Sequence, residues 1–180
     1  LAGSIGTGRS TKGKCKMRSW TGIEIAAERE RLEREAASIL GHMLFEYSRL
    51  DMDLGLMLVW ADDGKRLEKL TTEHNESNFY YKLRFLEKEA SIKYANSPDA
   101  LTAHAGWLVD AHKVRECRNK LVHGRWGIEP TRRQVVNVVG LPTSPEQTAY
   151  PYTIRDLQAE LDGIKALRAS LDALRKAWPI

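Results

Sequence analysis

Residues 96–126 read NSPDALTAHAGWLVDAHKVRECRNKLVHGRW, and the fold turns on whether this stretch is one helix. Ser97 suits the cap position and Pro98 the first helical position, where a missing N–H costs nothing. From there the pattern predicts a single helix running to about His123. At about 100° per residue, Val114, Cys117 and Leu121 fall within about 60° of one another and form the stripe that packs on a core. His112, Arg115, Asn119 and His123 occupy a different face, spanning about 80°. Arg118 lies nearer the core stripe, about 140° from His123. One helix does not easily bring Arg118 and His123 onto one phosphate, but two copies facing each other could.

Outward from this helix the sequence stays mainly helical from Ile23 onward. Strong helix formers with alternating charges fill IEIAAERERLEREAASIL, and Leu40, Met43, Leu44, Tyr47, Leu50, Leu54 and Leu58 then recur at spacings of three and four. They predict one long helix, or two with a break near Gly41. ADDGKR reads as a turn, a short helix surrounds Leu67 and Leu70, and another spans about Asn78 to Ala95. After His123, RWGIEP, TRR and QVVNVVG suggest a short β-hairpin, since Val135, Val136, Val138 and Val139 are β-branched and Pro130 marks a turn. LPTSPEQTAYP reads as a loop. Thr153 and Asp156 then resemble a capping box, with Ile154, Leu157, Leu161, Ile164, Leu167, Leu171 and Leu174 lining the last amphipathic helix. The expected fold class is all-α: an antiparallel helical bundle with a small β-hairpin before the last helix, formed by a single domain over residues 21–180.

Composition narrows the function. Residues 1–20 hold five cations and no acid, so of the formal net charge of +4 the remaining chain carries −1. These residues are expected to be a flexible basic arm. They include Gly8-Arg-Ser-Thr-Lys-Gly13-Lys14, which has the spacing of a phosphate-binding loop but places Cys15 where Ser or Thr is required. Within the body, residues 113–133 hold seven cations against Glu116 and Glu129, an attractive patch for a polyanion around the last turns of the central helix. The two cysteines, Cys15 and Cys117, suit reduced thiols in a cytoplasmic protein better than a disulfide framework. No apolar run reaches the roughly 18 residues of a membrane span. His104, His112, Cys117 and His123 diverge in helical direction and form no compact metal pattern, so neither a metal nor another cofactor is expected.

Arg118-Asn119-Lys-Leu-Val-His123 resembles the R-N-x-x-x-H signature of the HEPN superfamily (higher eukaryotes and prokaryotes nucleotide-binding): Asn119 fills the polar slot, and the motif lies late on a long helix of an all-helical bundle. The resemblance covers roughly residues 36–178, at the level of architecture. It implies a composite site at a homodimer interface that cleaves single-stranded RNA without a metal. Arg118 would hold the scissile phosphate, and His123 would be the general acid or base in attack by the neighbouring 2′-hydroxyl. Asn119 would orient that imidazole or donate to a phosphate oxygen. Arg115, Lys120 and Arg125 would track the RNA backbone, and Trp126 would offer a base a stacking surface. By analogy with the family, the protein would be a toxin-like or phage-defence effector with an antitoxin or regulatory protein as partner. Two plainer readings stand beside this one. Arg118, Asn119 and His123 are also what a solvated face near a helix C-terminus contains, and Glu46, Arg49 and Asp53 read as a charge row along one helix before they read as part of a cleft. A non-catalytic module binding RNA, nucleotide or a protein partner is the alternative function.

Overall fold

The computed structural model describes residues 19–180; the expected N-terminal arm, save for Ser19 and Trp20, lies outside the described residues, and with it Cys15, expected to be a reduced thiol, and the Gly8–Lys14 stretch with phosphate-loop spacing. The chain is mostly helical, with a small three-stranded antiparallel sheet. The first helix, α1 (Gly22–Val59), begins at a capping box in which the Glu24 N–H donates to Thr21 Oγ1 at 3.2 Å and the Thr21 N–H donates to Glu24 Oε2 at 2.9 Å. It runs through Gly41 without a break. The apolar stripe continues on both sides of that glycine at Ile39, Met43, Leu50 and Leu54, and its burial outweighs the roughly 1 kcal/mol a mid-helix glycine costs.

A 3-10 turn (Ala61–Gly64) follows, with positive φ at Asp62, Asp63 and Gly64. The chain then forms α2 (Leu67–His74), α3 (Phe79–Lys93) and α4 (Pro98–His123). Asn78 caps α3, accepting from the Tyr81 N–H at 3.2 Å. Ser97, expected to cap α4, makes no side-chain cap hydrogen bond, so α4 starts on the fixed φ of Pro98. The Thr153–Asp156 capping box does form, at 3.1 and 2.8 Å, and opens α5 (Ile154–Ala177).

Between α4 and α5 the expected hairpin is a sheet of three strands, β1 (Arg125–Glu129), β2 (Gln134–Val139) and β3 (Thr148–Tyr152), in the order β1-β2-β3. β3 falls in the stretch expected to be a loop. Pro151 is tolerated there because β3 is an edge strand. The register aligns Trp126, Asn137 and Tyr150 in one row and Ile128, Val135 and Tyr152 in the next. Side chains from both rows turn toward the helices, where Val135 and Asn137 are fully covered.

Two apolar clusters hold the helices together. Leu32, Ile39 and Met43 of α1 meet Leu157, Leu161 and Ile164 of α5, with Leu121 and Val135. Farther along, Leu50, Leu54 and Leu58 share a cluster with Leu167, Leu171 and Leu174 and with Leu83 and Leu86 of α3. The order of these partners makes α1 and α5 parallel, and the Asp62 N–H to Ile180 carbonyl bond of 3.3 Å ties their far ends. α4 runs the other way: Trp107 Nε1 donates to the Leu167 carbonyl at 3.2 Å, while Cys117, later in α4, meets Glu160, earlier in α5. The antiparallel expectation therefore holds for α4 against its neighbours but not for the α1–α5 pair.

Candidate functional site

Tyr47 and Asp51, one turn apart on α1, face the α4 residues Arg115, Arg118 and Asn119 across a groove closed at one end by the start of α3 around Tyr80. The space in this groove, partly open to solvent, measures about 390 Å³. The structure thus corrects the division of α4 expected from helical angles. Arg118 does not point away from Arg115 and Asn119; all three line one cavity, because a sector of about 100° opens onto the groove and arginine side chains are long enough to sweep it. The residue left apart is His123, which is exposed in the last turn of α4 and does not line the cavity.

The two guanidiniums are braced by aromatic rings rather than carboxylates. That of Arg118 lies 5.2 Å from the Tyr47 ring centroid and donates to Asn119 Oδ1 at 3.2 Å. That of Arg115 lies 5.0 Å from the Tyr80 centroid, and its ion-pair partner is the exposed Glu116 at 3.8 Å. Both Nε atoms are buried and have no hydrogen-bond partner among the described residues. Asp51 faces the same cavity but is engaged by Lys82, whose ammonium donates to the two carboxylate oxygens at 2.9 and 3.0 Å. Burial pushes the Tyr47 hydroxyl up to about 12, with Asp51 adding to the rise and Arg118 and Arg115 opposing it. At neutral pH it is a proton-bearing donor.

The end of α4 is fixed by the sheet. Asn137 is fully buried; with its amide oriented so that both ends find partners, its nitrogen donates to the Lys120 carbonyl at 3.2 Å and its oxygen accepts from Trp126 Nε1 at 3.3 Å. Trp126 Nε1 also reaches the Leu121 carbonyl at 3.1 Å, and its ring lies 6.0 Å from that of Tyr152. The indole expected to stack on a base is thus half-buried in packing between α4 and the sheet. Lys120 and Arg125 are exposed beside it, the first 5.2 Å from the Tyr150 ring centroid and the second donating to Gln147 Oε1 at 2.5 Å.

Next to the cavity, Arg118 also borders an apolar cleft of about 160 Å³ lined by Leu40, Leu44, Val122 and Trp126. Leu44 and Val122 remain 56% and 51% exposed. Glu46, Arg49 and Asp53 lie elsewhere: Arg49 pairs with Glu46, and Arg168 of α5 reaches Glu46 at 3.4 Å and Asp53 at 2.5 Å, a network joining α1 to α5. The residues considered as metal ligands are dispersed. His104 is buried between α3 and α4, while Cys117 donates to Glu160 Oε2 at 3.3 Å and is pushed up to about 12, chiefly by burial. No helix among the described residues is long and apolar enough to cross a membrane.

Sequence reasoning missed Tyr47, Asp51, Tyr80 and Lys82 as parts of the site. One signal was present, since Lys82 sits between Phe79 and Leu83 where the α3 pattern calls for an apolar residue. Comparison with protein-family models, with curated proteins and with solved structures finds no match.

Proposed function

We propose that the protein is a metal-independent endoribonuclease of HEPN type, acting on single-stranded RNA as a homodimer. The observation that carries this reading is the cavity in which Arg115, Arg118 and Asn119 converge with no carboxylate neutralising Arg118. Planar, permanently charged donors of this kind suit a phosphodiester and the charge it gains as the 2′-oxygen attacks phosphorus. The 2′-hydroxyl loses its proton to a base, the 5′-oxygen leaves with a proton from an acid, and the products end in a 2′,3′-cyclic phosphate and a 5′-hydroxyl. His123 supplies one of these transfers. It stands outside its own chain's cavity, on the exposed end of α4 beside the exposed Val122, so in this proposal it serves the cavity of a second copy. The exposed Leu44 and Val122 supply apolar surface for that association. By analogy with the family, such an enzyme acts as a toxin-like or phage-defence effector restrained by a partner protein.

Single-stranded RNA incubated with the purified protein in excess EDTA tests this directly. Cleavage to cyclic-phosphate ends is expected, with His123→Ala slower by on the order of 10² or more. Intact RNA at high protein concentration would end the nuclease reading. The position of His123 outside the cavity is also what favours the second reading, a module that binds RNA, nucleotide or a protein partner without cutting.

A further inference from the structure

The cavity between α1, α3 and α4 carries charges of both signs that are not joined to each other. Arg115 and Arg118 are braced against the Tyr80 and Tyr47 rings, while the Asp51 carboxylate is engaged by Lys82 and pairs with neither arginine. A ligand that satisfies both ends needs an anion for the guanidiniums and hydrogen-bond donors for the carboxylate. Both Asp51 oxygens accept from Lys82, but each keeps a further lone pair. Tyr80 remains 40% exposed at the mouth of the groove, with Arg115 over its ring. The volume of about 390 Å³ falls in the range of small-molecule sites.

We infer that this cavity selects a guanine nucleotide, with the phosphate on Arg115 and Arg118 and the base edge on Asp51. Guanine alone among the four bases presents two adjacent donors, N1–H and the 2-amino group, matching the two oxygens of a carboxylate. Adenine and cytosine set an amino group beside a ring acceptor that a carboxylate repels, and uracil offers one N–H between two carbonyls. The inference rests on the reading above of the cavity as a holder of RNA phosphate, and it adds which nucleotide occupies it.

Calorimetric titration of the full chain with GMP, AMP, CMP, UMP and inorganic phosphate tests it without requiring cleavage. GMP should bind about tenfold tighter than the other nucleotides, and inorganic phosphate should compete with all of them. Arg118→Ala should weaken every nucleotide by a similar factor, whereas Asp51→Asn should abolish only the preference for GMP. Because Asp51→Asn leaves the buried Lys82 without a charged partner, the double variant Asp51→Asn/Lys82→Met, checked for native helicity, should give the same levelled series. Lys82→Met alone should keep the preference. Four nucleotides binding alike, no nucleotide binding, or a preference that survives both Asp51 variants overturns the inference. RNA cut without regard to guanosine sinks this inference and leaves the nuclease standing. Guanine-selective binding without cleavage does the reverse.

Discussion

Gly124 has a φ of −83°, which any residue adopts, yet a side chain cannot be added there: a Cβ would stand 2.0 Å from the nearer end of the Asn137 side-chain amide. The glycine is required by the fully buried amide that ties the end of α4 to β2. Gly124→Ala should therefore destabilise the fold by about 1–3 kcal/mol, as overpacking does, and urea unfolding would measure it. A stability equal to wild type would show that Asn137 moves aside freely. The Asp51–Lys82 pair should respond asymmetrically. Lys82 is buried and Asp51 partly open to water, so Asp51→Ala strands a buried charge and should cost about 3 kcal/mol, while Lys82→Met leaves a carboxylate that water reaches and should cost far less. Equal losses in the two unfolding curves would contradict this account of the pair. Arg118, Asn119 and His123 were legible as candidates because residue type and spacing are local properties. That Arg118 shares a cavity with Arg115 was not, since helical angles fix where a side chain starts and not how far a guanidinium reaches.

Among the elements, those with local signals were readable. The Thr153–Asp156 box and the leucine period announced α5, and Pro98 announced α4. β3 was hidden, because Thr148–Tyr152 is short, contains a proline, and becomes a strand through pairing with β2. The other wall of the cavity was hidden for a related reason. Tyr47 and Asp51 precede Arg118 by more than sixty positions, and nothing in the period of α1 announces which helix lies opposite. The sequence leaves the length of α1 open at Gly41, and the continuity of the helix gives a prediction: a Cβ there meets nothing within 4 Å, so Gly41→Ala should raise stability by about 1 kcal/mol. A loss of stability in thermal or urea unfolding would mean that the helix needs the glycine.

For the whole molecule, two histidines tie stability to pH. His104 is 1% exposed, its Nδ1 donates to the Ala100 carbonyl at 2.8 Å, and its Nε2 is buried without a partner. Nε2 of His74 is buried in the same way. Desolvation, the largest cause at both, lowers their affinity for protons below the ordinary 6.5. The unfolded chain takes up protons near 6.5 while the folded chain resists them, so stability is full above that value and falls as the pH drops toward the lower folded values. Urea midpoints should therefore decline between about pH 7 and about pH 5, and less steeply when both histidines are replaced by glutamine. The proposed nuclease function rests at this scale on whether a second copy completes the site, because the cavity holds Arg118 while His123 lies outside it. Mixing two variants that are each inactive on RNA, Arg118→Ala and His123→Ala, measures this most directly. If Arg118 of one copy works with His123 of the other, half the dimers in an equal mixture hold one intact site, and activity should return to roughly a quarter of wild type. A mixture as inactive as its components would contradict the composite site.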